Sequence, residues 1–344
     1  MKIGIIGLPQ SGKSTIFRAA AGQFAGHQEE RGGISRAVVK VPDERLPVLQ
    51  KIFGAAKIVP ATVQYLDLSF DLRERENRQK ETERLLNELK PADALILVVR
   101  NFELAGIPPD PQKDLDSLHE ELILSDLAIV ERRLEKLEKE ARKGGRVNEK
   151  EIEELHLARS LLEAGRPLRV EPQLRRSPFM RGYTFLSLKP LLVVLNTGEE
   201  NKILELQLPE GGELVAIKGR LEADLAEMPP EEAQIFREEY GLQEAALPLL
   251  IRKSFKILDL ICFFTGGEKE ARAWPIPRGT KAQQAAGVIH SDMERGFIRA
   301  EVIPFEELKA LGSYQTAQKA GRVRLEGKDY EVQDGDVIIF RFSV

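Results

Sequence analysis

One short motif near the amino terminus constrains the fold of this chain more than any other feature. Residues 7–14 match the pattern G-x-x-x-x-G-K-[ST] in full. The motif follows an apolar strand pattern at Lys2–Ile6 and precedes a helix pattern at Thr15–Ala21, the context in which a glycine-rich loop holds phosphate groups. The alternative is a glycine-rich turn without a ligand.

Each position of this loop has a chemical reason. Glycines let the backbone turn so that successive N–H groups form a cradle for anionic oxygens, and the helix start adds a partial positive charge. Lys13, the predicted catalytic residue, would reach the β- and γ-phosphates, while the Ser14 hydroxyl would help hold Mg²⁺. The predicted nucleotide-binding residues of this segment are Gly7, Pro9, Gln10, Ser11, Gly12, Lys13, Ser14 and Thr15.

Two strand ends add candidate residues. Asp67 follows the apolar residues 63–66 and is a candidate Walker B carboxylate for Mg²⁺, although a strand-end Asp also commonly satisfies a turn. Leu191–Leu195 is followed by Asn196-Thr197-Gly198-Glu199, where GTPases carry N-K-x-D. The longer carboxylate of Glu199 shifts the hydrogen-bond geometry, so strict guanine selectivity is not expected. Asn-Thr-Gly is also a good turn sequence.

Composition excludes several classes of protein. The formal net charge of -4 argues against binding to nucleic acid by bulk charge, although a local basic patch stays open. The single cysteine, Cys262, excludes an intramolecular disulfide and a cysteine zinc cluster, and its apolar neighbours indicate burial. No apolar run approaches the roughly 18 residues of a membrane span, so a cytoplasmic protein without a membrane partner is expected.

The pattern along the 344 residues predicts three parts. Residues 1–115 and 180–260 alternate apolar strands with helices, which predicts a mostly parallel α/β sheet carrying the P-loop. Residues 116–179 predict an inserted antiparallel helical hairpin, either a spacer or lid or an arm that grips a partner. Residues 261–344 mix short strands with one helix near Lys281–Ile289, which predicts a small α+β module of the β-grasp kind.

With these residues placed, the chain resembles the YchF or Obg-like ATPase family, a branch of the translation-factor-class P-loop GTPases. The resemblance runs from end to end and is strongest at Gly7–Thr15, Pro42–Leu46, His290–Ile303 and Leu325–Val337. It implies a G-domain-like nucleotide domain, an inserted helical hairpin and a terminal TGS-type β-grasp domain. It also implies ATP rather than GTP, an adenine-tolerant base motif in Asn196 and Glu199, and work around ribosomes or RNA.

The chain departs from the family pattern at both switch segments. The family carries Asp-x-x-Gly after the Walker B strand, whereas this chain has Asp67-Leu68-Ser69-Phe70, followed by the charged stretch Asp71–Lys90 that predicts a solvated helix. The family's Mg²⁺-binding Thr falls near Arg31, in the polar, glycine-rich residues 29–33. Arg31 would then be either a stabilising cation or a mobile loop arginine.

These departures predict a YchF-like, ATP-binding switch protein with slow or vestigial hydrolysis, because hydrolysis depends on positioning water and stabilising charge at the γ-phosphate. Two alternatives stay open. One is an interaction or scaffold protein whose P-loop is a structural anion site, and the other is a GTPase proper.

Overall fold

The computed structural model describes residues 1–31, 34–68, 78–198, 204–239 and 246–343. The chain divides into two compact units, each built from two separate segments. Unit 1 comprises Met1–Val39 and Gln64–Leu250, and unit 2 comprises Lys40–Val63 and Ile251–Val344. Residues 40–63, which the sequence pattern assigns to the nucleotide domain, therefore belong to the same unit as the carboxyl-terminal module.

The strands of both units are as follows: β1 Lys2–Gly7, β2 Ala25–Arg31, β3 Ile34–Lys40, β4 Ile58–Val59, β5 Thr62–Leu68, β6 Ala94–Asn101, β7 Leu191–Thr197, β8 Gly212–Ile217, β9 Leu260–Gly266, β10 Ala271–Pro277, β11 Phe297–Pro304, β12 Arg324–Glu326 and β13 Asp336–Phe342.

The α-helices are α1 Lys13–Phe24, α2 Arg45–Phe53, α3 Arg78–Leu89, α4 Pro111–Arg142, α5 Glu149–Glu163, α6 Pro172–Arg176, α7 Pro178–Tyr183, α8 Gly219–Glu227, α9 Pro230–Glu239, α10 Ala246–Lys256, α11 Ala282–Ile289, α12 Ser291–Arg295, α13 Phe305–Leu311 and α14 Tyr314–Lys319. A short 3-10 helix covers Leu168–Val170.

Unit 1 is organised around a seven-stranded sheet with the order β2-β3-β5-β1-β6-β7-β8. The strands β5, β1, β6, β7 and β8 run parallel to their neighbours in that series, while β2 and β3 form an antiparallel pair. Every residue of β7 is buried, as its continuous apolar sequence predicts for a strand covered on both faces. The mostly parallel α/β sheet predicted from the sequence is confirmed.

The inserted hairpin forms because both long helices have strong amino-terminal caps. The Asp110 side chain accepts a hydrogen bond from Lys113 N at the start of α4, and Asn148 caps α5 through Glu151 N. Leucines spaced three and four apart, such as Leu134 and Leu137, are buried in a core that α4 shares with α5. Asn148 was the cap expected from the sequence.

Unit 2 contains a six-stranded sheet with the order β12-β11-β13-β9-β10-β4. The β9–β10 hairpin is antiparallel, β13 runs parallel to β9, and β11 is antiparallel to β13. Helix α11 packs against one face through Ala282, Ala285 and Ala286. This arrangement is the β-grasp fold expected of the carboxyl-terminal module, and β4 extends it through two pairs with β10.

Residues 29–31 are not the mobile loop that the sequence left open for Arg31. Residues 29–31 belong to β2, and Arg31 pairs with Ile34 of β3 across the antiparallel ladder. The two strands pair although β2 is polar, because a strand at the edge of a sheet needs little apolar surface. Residues 32–33 and the segment 69–77, including Phe70, lie outside the described residues. Within the described part of the chain, no helix is both long and apolar enough to cross a bilayer.

Candidate phosphate-binding site

The P-loop motif forms the connection between β1 and α1. β1 ends at Gly7 and α1 begins at Lys13, so the five residues between them make the turn. Gln10 and Gly12 adopt left-handed conformations, with φ of 63° and 85°. The Ser11 N–H donates to Leu8 O at 3.1 Å. This geometry brings the loop backbone and the amino terminus of α1 around one anion-binding concavity.

Steric crowding explains why two positions of the loop are glycine. A Cβ on Gly12 would lie 2.0 Å from Asn196 Nδ2, and a Cβ on Gly7 would lie 2.4 Å from Ser11 Oγ. Neither distance is possible for real atoms, so any side chain at these positions would displace the loop. Gly12 is doubly constrained, because its positive φ also disfavours other residues.

Three predicted residues converge behind the loop. Lys13 and Asp67 are both buried, with exposed fractions of 8% and 1%, and Ser14 is half-buried at the start of α1. Asp67 lies on β5, opposite Ile5 of β1, and its carboxylate accepts a hydrogen bond from the Ser14 side chain. Burial raises the pKa of the Asp67 carboxyl above its ordinary value, while Ser14 and the charge of Lys13 act in the opposite direction.

The oxygen atoms of this cluster fit a magnesium ion. Asp67 Oδ1 is buried and has no hydrogen-bond partner among the described residues, and the same holds for Ser11 Oγ. Buried polar atoms are seldom left without a partner, so an orphaned carboxylate oxygen beside a phosphate cradle points to a ligand. Carboxylate and hydroxyl oxygens are ligands that Mg²⁺ accepts alongside phosphates and water.

Asn196, at the end of β7, contacts the loop directly. Its Nδ2 donates to Ser11 O at 2.9 Å, and its Oδ1 accepts from Gly219 N at 3.0 Å. The side chain thus ties the P-loop to the start of α8. Glu199, its predicted partner in base recognition, lies outside the described residues.

The remaining predicted residues lie around the same concavity. Pro9 and Gln10 are exposed at the tip of the loop, and Thr15 is half-buried in the first turn of α1. The sequence analysis missed Gly219 and Phe102. A Cβ on Gly219 would lie 2.7 Å from Asn196 Oδ1, and the Phe102 ring is the next group beyond Asn196 around the Gly12 position. Neither residue belongs to a recognisable local pattern, because each reaches the site only through sheet assembly.

A parallel sheet that carries a glycine-rich loop, a buried lysine and a strand-end aspartate defines a P-loop protein with a G-domain-like nucleotide unit, here joined to a β-grasp module. Comparison with known proteins supports and narrows this class. A family model named YchF-GTPase_C, described as a protein of unknown function (DUF933), matches residues 260–343.

Full-length relatives extend the match to the whole chain. The "Ribosome-binding ATPase YchF" of Bacillus subtilis is 37% identical over 99% of both chains, and "Obg-like ATPase 1" of Bos taurus is 33% identical over 100% of this chain and 92% of its own. A solved structure, the Schizosaccharomyces pombe YchF GTPase, superposes with a TM-score of 0.82 at 26% identity, covering 99% of this chain and 97% of the other. The chain belongs to the YchF family.

Proposed function

We propose that this chain binds a purine nucleoside triphosphate with Mg²⁺ in its P-loop, hydrolyses it slowly, and uses the bound state in work on the ribosome. The observation that carries the proposal is the convergence of Lys13, Ser14 and Asp67 behind the glycine cradle, where Asp67 Oδ1 has no hydrogen-bond partner within the described part of the chain. The names of the relatives, which are ribosome-binding ATPases, support the same function.

The residues of the chain divide the task of holding the triphosphate. Loop N–H groups bind phosphate oxygens, and the Lys13 ammonium offsets the charge of the β- and γ-phosphates. Ser14 and Asp67 would hold Mg²⁺, directly or through water. When bound, the metal ion neutralises charge that develops between the two phosphates. Asn196 fixes the loop against α8, so that the cradle is formed before the ligand arrives.

ATP is the nucleotide we propose, with GTP as the alternative. Among the described residues, Asn196 uses one Nδ2 hydrogen on Ser11 O, and we assign its second Nδ2 hydrogen to the base. Glu199 is longer than the Asp that takes two hydrogen bonds from guanine in N-K-x-D. The macromolecular partner would be the ribosome or its RNA, contacted through the helical hairpin and the β-grasp module. A cytoplasmic location is part of this proposal.

Replacing Lys13 tests the phosphate site. Lys13→Ala removes a buried cation from the phosphates and should weaken ATP binding about 30- to 1,000-fold, or roughly 2–4 kcal/mol. Titration calorimetry with ATP and GTP measures this loss and the base preference together. Lys150→Ala, an exposed lysine at the start of α5, is the matched control. Equal ATP affinity in Lys13→Ala and the parent protein would refute the P-loop proposal in favour of an interaction protein.

The same titrations compare the affinities for ATP and GTP. ATP should bind at least as tightly as GTP. A tenfold preference for GTP, about 1.4 kcal/mol, would show that the protein is a GTPase proper.

Hydrolysis should be slow in the isolated protein. Phe70 stands where the family has its switch glycine, and no threonine occupies the position near Arg31. GTPases that retain these groups turn over unaided at only about 10⁻⁴ to 10⁻² per second, so a rate at or below that range is expected. Phosphate release under single-turnover conditions measures it. Turnover near 1 per second that Lys13→Ala abolishes would contradict this prediction and show that other residues replace the family's switch groups. Arg31→Ala would then test whether the Arg31 cation supports hydrolysis.

A further inference from the structure

The segment that leads from the helical hairpin to β7 is strongly basic. Residues 164–189 contain six lysines and arginines but a single acidic residue, Glu171. The formal net charge of the whole chain is -4, so an overall count conceals this local excess of positive charge. The P-loop site uses none of these residues.

Three of the six cations already have partners. Arg166 donates to both carboxylate oxygens of Glu210, at 2.9 and 2.8 Å. Arg169 is buried and donates to the backbone carbonyl of Glu210 at 2.9 Å. Lys189 donates to two backbone carbonyl oxygens that precede β6. These three side chains stabilise the fold and are not available to a partner molecule.

The other three cations are exposed. Arg175 and Arg176 lie at the end of α6, and Arg181 lies in the last turn of α7. Within the described part of the chain, none of these three side chains forms an ion pair or a hydrogen bond. Their positive charge is therefore free to attract a partner.

The carboxylates that contact α6 and α7 do not offset these arginines at the surface. Glu151 of α5 forms an ion pair with Arg133 at 2.8 Å. Glu154, also of α5, is buried at 1% exposure and accepts the Ser177 hydroxyl. Glu171 is half-buried and accepts an N–H group at the start of α6. The outermost charges of α6 and α7 are those of the arginines.

Packing against the hairpin holds α6 and α7 in place. Leu174 and Met180 are buried completely in the core that these helices share with α4 and α5. Ser177 caps α7 by accepting two of its first N–H groups, at 3.2 and 3.3 Å. Tyr183, at the end of α7, bonds through its hydroxyl to an ion pair between α4 and α5. The arginines therefore extend from a fixed backbone, which lowers the entropic cost of binding.

This arrangement fits a chain of phosphates better than a membrane. A guanidinium group presents planar N–H donors that match two oxygens of one phosphate. The three side chains leave one short stretch of chain, so they would meet neighbouring phosphates of a single backbone. A helix that lies on lipid also inserts large apolar side chains, whereas residues 171–184 expose no large apolar side chain.

We propose that Arg175, Arg176 and Arg181 form a contact surface for the sugar–phosphate backbone of RNA. The inference rests on the ribosomal partner in the function proposed above, and it assigns the RNA contact to a surface beside the hairpin. Because backbone contacts do not read base edges, the binding does not depend on RNA sequence.

The salt dependence of RNA binding tests this surface. A fluorescein-labelled RNA duplex of mixed sequence is titrated with the full-length, nucleotide-free protein at several salt concentrations, and fluorescence anisotropy measures the Kd. The parent protein should bind with a Kd of about 1–100 µM, the usual range for contacts to the backbone alone. Each phosphate contact contributes roughly 0.9 to the slope of log affinity against log salt concentration.

Replacing all three arginines with alanine should weaken RNA binding at least tenfold and reduce that slope by about 2–3. The single variants Arg175→Ala, Arg176→Ala and Arg181→Ala should each reduce the slope by about 1, which keeps the test decisive if the triple variant does not fold. Unchanged slopes in the single variants would overturn the proposal.

A second triple variant separates this surface from net charge. Arg142, Arg159 and Arg278 are exposed arginines that each pair with a carboxylate. Replacing these three with alanine changes the net charge equally and should reduce the slope by less than about 1. Equal slopes for the two triple variants would overturn the proposal, as would a parent protein that does not bind the RNA.

Two further measurements on the same samples distinguish the other outcomes. Vesicles containing phosphatidylserine replace the RNA, and an effect of the three arginines on vesicle binding without an effect on RNA binding would overturn the proposal in favour of a membrane contact. ATP affinity is measured separately, and the variant without the three arginines should keep the parent's value. A failure of the P-loop proposal, which Lys13→Ala tests, is thus seen apart from a failure of this surface.

Discussion

Asp126 is a carboxylate buried completely within α4. Its two oxygens accept the N–H groups of Leu186 at 2.9 Å and Ser187 at 2.7 Å, which fixes the chain that leads into β7. Burial outweighs these hydrogen bonds and raises the pKa of Asp126 to about 6 from the ordinary value of 3.8. The residue is therefore an anchor whose charge is costly near neutral pH.

This raised pKa predicts how stability depends on pH. The folded state holds the Asp126 proton more tightly than the unfolded state does. The contribution of this carboxyl to the free energy of unfolding is therefore complete below about pH 4, and it is lost as the pH rises through about 6. The loss is on the order of 3 kcal/mol. Urea unfolding at a series of pH values, compared between the parent protein and Asp126→Asn, isolates this carboxyl because all other groups are shared.

Between pH 4 and pH 7, the difference in free energy of unfolding should shift in favour of Asp126→Asn by up to that amount, on top of a pH-independent loss, because the Asn amide has one acceptor oxygen where the carboxylate accepts two N–H groups. Asn is the neutral counterpart that does not titrate. If the free energies of unfolding of the two proteins change in parallel over this pH range, the pKa of the Asp126 carboxyl is not raised in the folded state.

The segment 40–63 is an element that belongs structurally to the β-grasp sheet. Helix α2 contacts β9, β10 and α13, and β4 pairs with β10. At β9 the ring of Phe53 lies where a side chain at Gly266 would otherwise stand, since a Cβ there would be 2.2 Å from Phe53 Cδ2. The close approach of α2 to the sheet depends on this glycine.

Two neighbouring glycines allow a matched test of that contact. Gly266→Ala forces a methyl group against the Phe53 ring and should reduce the free energy of unfolding by about 1–3 kcal/mol. Gly267→Ala meets nothing within 4 Å and should change it by less than about 0.5 kcal/mol. Urea denaturation measures both variants. Similar stabilities for the two would mean that α2 does not press on β9 in solution.

At the scale of the whole molecule, the chain passes between the two units three times. It enters unit 2 at Lys40, returns at Gln64 and enters again at Ile251. In the sequence, the segment 40–63 lies between the β2–β3 pair and β5, the strand that carries Asp67. A nucleotide-binding unit cut from this chain would therefore carry a segment whose packing partners are in the carboxyl-terminal part.

Truncation after Leu250 should expose that segment. Leu46 and Leu49 of α2 are buried at 1% and 0% exposure, and burial of each leucine is worth about 1.5–3 kcal/mol. The shortened chain should bind a hydrophobic dye and melt at a lower temperature than the full chain. A truncated protein with the parent's melting temperature and no dye binding would show that α2 and β4 find other partners.

Much of this protein follows from local sequence patterns. The phosphate loop, its strand and its helix lie within about twenty residues, so spacing and glycine placement were sufficient to predict them. The continuous apolar run of β7 and the cap at Asn148 are also local signals. Capping, apolar periodicity and turn chemistry involve residues a few positions apart, and a single sequence records them directly.

Tertiary structure alone decided what brings distant residues together. The bond from Asn196 to Ser11 spans 185 positions, and the bond from Arg45 to Asp334 spans 289. The membership of residues 40–63 in unit 2 depends on such contacts, as does the position of Gly219 beside Asn196. These contacts form only when sheets assemble and side chains bury one another. They could not be predicted, because complementary shape and charge between remote segments leave no periodic pattern in the sequence of either segment.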